Sequence, residues 1–216
     1  MDMPTLIMCA GGNRRFAEAA IANGWQYGSR LPGYPTTSIP IYFADQDWRK
    51  PARGRYIAAL EQHRPRVATV LDLERASQFD EVMAWANDAA HIVPIVVVIP
   101  KVFGIIDRIP ERIGTADVVL GYSVPTIHGG TPVPIWEFGR RPVHLLGGSP
   151  KKQMELAMYL NVVSADGNMA SKMATGYCKF WYRGRWEQLT GYGQDAPYAA
   201  FELSMKNIME AWKCLF

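Results

Sequence analysis

The chain of 216 residues is 49% hydrophobic and 20% charged. This suits one globular domain with a sizeable core and is slightly short of the roughly 250 residues usual for a (β/α)8 barrel. A net charge of +3 is too mild to announce a nucleic-acid binder, so where the charges sit matters more than their sum.

Residues 1–8 have no basic stretch and only a brief apolar run, so no signal peptide is expected. Residues 5–10, Thr-Leu-Ile-Met-Cys-Ala, predict a first strand ended by Gly11 and Gly12. A helix over about 15–23 follows, with Gly24 where a glycine commonly ends a helix. The Pro/Gly-rich residues 31–37 read as loop, 39–44 as a second strand, and 52–63 as a helix stopped near Pro65. Residues 66–73 predict a third strand and 78–90 a helix. The almost wholly apolar residues 92–99 predict a fourth strand, of the kind a helix-covered parallel sheet produces.

Residues 117–123 predict a fifth strand and 142–146 a sixth. Ser149 and Pro150 then supply an N-cap and a first-turn proline, and Met154, Ala157 and Met158 give the helix an apolar face. Residues 162–165 predict a seventh strand. A helix from about Asn168 leads to an eighth, Lys179-Phe-Trp-Tyr182. The last helix, from about Pro197, carries Phe201, Met205, Ile208, Met209 and Trp212 at core-facing spacing.

About eight strand–helix units argue for a compact (β/α)8 TIM-type barrel, a single domain over residues 1–216. A doubly wound open sheet competes, but Gly11-Gly12 lacks the G-x-G-x-x-G fingerprint. The longest apolar stretch, residues 92–100, is far below the roughly 20 residues a membrane helix needs, so a soluble protein with no membrane partner is expected. Cys9, Cys178 and Cys214 fit neither a zinc spacing nor a disulfide framework, which implies reduced thiols in a cytosolic setting.

In such a barrel the chemistry sits at the C-terminal ends of the strands. Asp72 and Asp166 each end an apolar run, on strands that face one another across the mouth. Paired carboxylates suit chemistry at a sugar C1′, where one attacks and the other moves a proton on the departing group. Either one alone could equally cap the next helix. Gly147 and Gly148 could bring backbone N–H groups close to a phosphate or base edge, or simply form a tight turn. His128 reads as a surface or substrate-lining residue, while His63, His91 and His144 show no ligand spacing. No G-x-S-x-G nucleophile elbow occurs. No metal or other cofactor is expected.

Cations concentrate in the C-terminal half: Arg140, Arg141, Lys151, Lys152, Lys172, Lys179, Arg183 and Arg185. They interleave with Phe180, Trp181, Tyr182 and Trp186, which predicts a nucleic-acid groove flanking Asp166. For any single residue, a solvated basic face is the competing reading.

The segment His144-Leu-Leu-Gly-Gly-Ser-Pro-Lys-Lys-Gln-Met-Glu-Leu-Ala, ending at Val162-Val-Ser-Ala-Asp166, resembles the tRNA-guanine transglycosylases. In that superfamily a glycine turn and a proline-started helix lead to a strand ending in the nucleophilic aspartate. Val70-Leu-Asp72 is similar to the strand carrying the second essential aspartate. Val118-Val-Leu-Gly121-Tyr122-Ser is similar, more loosely, to a glycine-containing strand that helps to recognise the base.

The resemblance implies Asp166 as nucleophile, Asp72 as second catalytic group, and Asp72, Gly121, Tyr122, Gly147 and Gly148 around the base. Lys101 stands where the family places a base-reading glutamine. The family's Cys/His zinc site and additional RNA-binding domain have no counterpart, as in the compact DpdA-type enzymes of phages and bacteria. That likeness implies DNA as partner, guanine as the departing base and a 7-deazaguanine such as preQ0 as the incoming one. A tRNA-directed transglycosylase, a hydrolytic N-glycosidase or nucleosidase with the same carboxylates, and a non-catalytic DNA-binding accessory protein are the alternatives. Which 7-deazaguanine is used and the oligomeric state are left open.

Overall fold

A computed structural model describes residues 2–9, 12–33, 38–127 and 129–216. Gly11 of the expected turn, loop residues 34–37 and His128 lie outside them. In chain order the elements are β1 (Thr5–Met8), α1 (Arg14–Ala22), β2 (Gln26–Leu31), β3 (Phe43–Gln46), α2 (Arg53–His63), β4 (Val67–Thr69) and α3 (Phe79–Ala90). Next come β5 (Ile95–Val98), β6 (Arg112–Ile113), β7 (Ala116–Ser123), β8 (Val143–Leu146), α4 (Pro150–Ala157) and β9 (Val162–Gly167). The chain finishes with α5 (Met169–Tyr177), the strands β10 (Lys179–Tyr182) and β11 (Arg185–Gln188), and α6 (Ala196–Lys213).

Eight parallel strands, β1 to β5 and β7 to β9, pair in sequence, and β9 pairs back to β1 through Thr5↔Ser164 to Met8↔Gly167. The sheet is a closed α/β barrel of the TIM type. It stays small because several crossovers lack an α-helix: single 3-10 turns at Ile106–Arg108 and Ile135–Phe138 serve β5 to β7 and β7 to β8. β6 adds only a short antiparallel edge to β7.

Two cores follow from strand alternation, since successive side chains point to opposite faces. Ile7, Phe43, Val67, Val97, Ile99 and Val119 fill the lumen. The larger core lies between barrel and helices, with Phe201, Met205, Ile208, Met209 and Trp212 of α6 all buried in it. α4 starts as expected, with Ser149 accepting from the Lys152 N–H at 3.3 Å. Its buried face differs: Gln153 and Leu156 turn inward with Ala157, while Met158 is exposed. Among the described residues no helix is long and apolar enough to cross a membrane.

Two strand assignments change. Residues 179–182 do form a strand, but β10 pairs antiparallel with β11 outside the barrel. There the Trp181 N–H donates to Ser204 Oγ of α6 at 2.9 Å. The barrel strand with no sequence-based counterpart is β2, Gln-Tyr-Gly-Ser-Arg-Leu. It has no apolar run because its lumen position is Gly28, where a Cβ would stand 2.8 Å from Cys9 Sγ and 2.9 Å from Ile7 Cγ2. Its large residues, Tyr27 and Leu31, pack outward.

α6 is held to α1 by Phe201, which is fully buried and stacked on Phe16 with centroids 4.3 Å apart. Phe201→Ala is expected to cost about 3–5 kcal/mol, read as a lowered urea midpoint.

Candidate active site

Alternation along each strand sets an apolar layer in the lumen and a polar layer above it, at the C-terminal mouth. Ile7 leads to Cys9, Phe43 to Asp45 and Val67 to Thr69, while Asp166 stands above Ser164, a buried polar residue. A cavity of about 390 Å³ opens there, lined among others by Asp45, Gln46, Trp48, Thr69, Asp72, Lys101, Ser123, Gly147 and Asp166. That volume lies in the range of roughly 300–1,000 Å³ typical of small-molecule sites. Asp72 and Asp166 therefore share one pocket. The missing β2 shifts both by one strand, so they sit on the fourth and eighth barrel strands, still opposite each other.

Asp166 is the most closely held group. The Gly147 N–H donates to Oδ1 at 3.2 Å and the Cys9 thiol to Oδ2 at 3.4 Å. Gln153, buried on α4, donates from Nε2 to the backbone carbonyls of Gly147 (2.8 Å) and Asp166 (2.7 Å). One amide thus ties the glycine turn to the strand it serves. The turn needs glycine twice over: Gly147 has φ +63° and Gly148 φ +81°. A Cβ on Gly148 would also stand 2.3 Å from Val124 Cγ1.

Asp45 is a site residue that the sequence reading misses. It follows directly on residues 39–44, so the strand-end rule that selects Asp72 and Asp166 would have selected it too. Thr69 Oγ1 donates to its Oδ1 at 3.2 Å and accepts from the Gln46 N–H at 2.7 Å. The buried Tyr56 hydroxyl donates to the Thr69 carbonyl at 2.7 Å and fixes this corner from outside. Burial, and after it the charge of Asp166, push the Asp45 carboxyl up to about 7. The Thr69 hydrogen bond and Arg30 oppose that rise, and Asp72 adds to it.

Burial and then the same carboxylates push the Cys9 thiol well up, so it remains a neutral donor. Asp72 lies just past the end of β4, with Lys101 Nζ 3.3 Å from its Oδ2. Burial raises its carboxyl, and Lys101 offsets only part of that rise.

The other expected base contacts divide. Lys101 and Gly147 line the cavity, as does Asp72. Gly121 points into the lumen beneath it, where a Cβ would meet Ile99 Cγ1 at 2.5 Å and Leu146 Cδ1 at 2.9 Å. Tyr122 is one residue out of phase. It packs outward, edge-on to Phe138 at 5.2 Å, and Ser123 takes the cavity position. Gly148 serves the turn.

The eight cations do not form one groove around Asp166. Arg140 and Arg141 enter β8 from the opposite, N-terminal end of the barrel. Arg141 donates to the carbonyls of Ile109 (3.0 Å) and Pro110 (3.1 Å), a structural role. Lys179, Arg183 and Arg185 lie on the hairpin outside the barrel. Lys151, Lys152 and Lys172, exposed in the first turns of α4 and α5, are the three at the mouth's end. Closeness in sequence misleads because a barrel sends alternate loops to opposite ends. Among the described residues no group of three or more His, Cys, Asp or Glu could hold a metal ion.

Asp45 costs stability where it is ionised. Its folded value lies above the unfolded one near 3.9, so the folded state holds an extra proton between about pH 4 and 7. Stability from this group is greatest below about pH 4 and falls as pH rises to 7. Asp45→Asn is expected to exceed the wild type in stability at pH 8, by on the order of a kcal/mol or more, with the gap closing near pH 4 in paired denaturant titrations.

No curated protein matches the chain. Residues 20–213 match a family of unknown function, DUF6610. With nearly its whole length so matched, the chain belongs to the DUF6610 family.

Proposed function

We propose that the protein exchanges guanine in DNA for a 7-deazaguanine base through a covalent aspartyl-glycosyl intermediate. The observation that carries this reading is the convergence of Asp166, Asp45 and Asp72 on one base-sized cavity at the barrel mouth. The resemblance of residues 144–166 to transglycosylases suggests the type of reaction.

A guanine nucleotide turns out of the stack into the mouth, because C1′ is out of reach within a duplex. An Asp166 oxygen attacks C1′ as the glycosidic bond breaks, and the bond electrons leave with guanine. Asp45 holds its proton near neutral pH and gives it to the departing base. Asp72, steadied by Lys101, accepts hydrogen bonds from the base edge. The 7-deazaguanine then gives its ring N–H proton to Asp45 and attacks C1′, which frees the Asp166 carboxylate. Two displacements retain the configuration at C1′.

Trp48 stands 61% exposed at the cavity's rim and offers a face for stacking. Arg49, Lys50, Lys151, Lys152 and Lys172 supply cations near the mouth for the phosphate backbone. The three free cysteines suit the reducing cytoplasm.

Asp166→Asn is expected to abolish incorporation of labelled guanine into DNA, and Asp45→Asn to slow it by about 100-fold or more. Undiminished incorporation by Asp166→Asn overturns the assignment. Guanine release that leaves an abasic site, without incorporation, turns the reading to a hydrolytic N-glycosidase. Salt-sensitive DNA binding with neither reaction turns it to an accessory protein.

A further inference from the structure

His144 is fully buried, yet it sits in the lumen with its ring 4.8 Å from that of Phe43. An imidazole placed there costs stability unless both nitrogens are satisfied. Nδ1 lies 2.7 Å from Ser164 Oγ, and Nε2 lies 3.3 Å from Asp166 Oδ1. The second contact is not yet a hydrogen bond, because the N–H is not aligned on the oxygen. A proton on Nε2 would face the carboxylate, and Ser164 would then donate to Nδ1.

The strand pairing is built to bring these groups together. β8 and β9 run in register at Val143↔Val162 but at His144↔Ser164 after it, so Val163 is the extra residue of a bulge. A bulge re-aims the side chains beyond it. Without it, Val163 would oppose His144. With it, Ser164 does, and Asp166, two residues on, points the same way.

We propose that His144, oriented by Ser164, is a positioning residue that donates from Nε2 to Asp166 Oδ1 during base exchange. The inference rests on the base-exchange reading. Oδ1 then has two donors from one segment, His144 and the Gly147 N–H, and Oδ2, whose one contact among the described residues is the weaker Cys9 thiol donor, is the attacking oxygen. In the second displacement the C1′–Oδ2 bond breaks, its electron pair returns to the carboxylate, and both donors stabilise the charge. His144 transfers no proton.

The contact is tested apart from activity by two-bond 1H–15N spectra of 15N-histidine-labelled protein, which has four histidines. His144 is assigned by its loss in His144→Gln. The wild type is expected to show the Nε2–H tautomer, with Nε2 shifted in Asp166→Asn and Nδ1 shifted in Ser164→Ala. An Nδ1–H tautomer, or His144 signals unmoved by Asp166→Asn, overturns the proposal.

In labelled-guanine exchange, His144→Phe keeps a ring against Phe43 and is expected to lower kcat about 100-fold, with KM for the base within about twofold. His144→Gln places an amide N–H near Nε2 and is expected to recover about a tenth of the wild-type rate. Ser164→Ala lowers kcat about tenfold. A kcat within twofold of wild type for both His144→Phe and Ser164→Ala overturns the role. If the wild type exchanges no base while the spectra behave as expected, the base-exchange reading fails and the His144–Asp166 contact stands.

Discussion

Pairing of β9 with β1 is the constraint on which the mouth depends. Main-chain hydrogen bonds along that seam leave the barrel without an edge between first and last strands. Closure turns the two-residue repeat of each strand into a shared address, so every inward position meets the same lumen. Ile7 and Asp166 are partners in that seam, and the Cys9 N–H donates to the Gly167 carbonyl just beyond it at 3.1 Å. Residues 157 positions apart, Cys9 and Asp166, thereby come into side-chain contact.

A lumen closed at its base by Phe43, Val67, Val97 and Val119 is a poor place for three carboxylates. The fold resolves this by giving each a different environment. Asp166 is met by the Gly147 N–H and the Cys9 thiol, Asp72 by Lys101, and Asp45 by the Thr69 hydroxyl, a neutral donor. Carboxyls held in such different surroundings are what a division into acid and nucleophile within one site requires. In the proposed reaction Asp45 is the one that holds a proton, and its raised pKa is the stability cost of that role.

Much of the fold is legible in the chain. Residues 92–99 announce a strand buried on both faces, Ser149-Pro150 a helix start, and residues 201–212 a helix with one buried face. β2 is not legible, because packing in the lumen demands glycine at position 28 where a strand signal would need bulk. β10 is legible as a strand but not as one outside the barrel, since an aromatic run fits either. The cations at 140–141 and 179–185 look like neighbours of Asp166 in sequence, yet the fold carries the first pair to the far end of the barrel.

The sequence by itself determined that polar groups end several apolar strands, and this is enough to single out Asp72 and Asp166. The same rule reaches Asp45 once the strand is seen to run into it. Local pattern encodes such positions because solvent exposure begins where a strand leaves the core. Only the tertiary structure decided which groups touch. The bulge at Val163 turns Ser164 toward His144, and Gln153 bridges Gly147 to Asp166 from a neighbouring helix. Side-chain register across non-adjacent segments is set by pairing and closure, and no single segment of the chain carries that information.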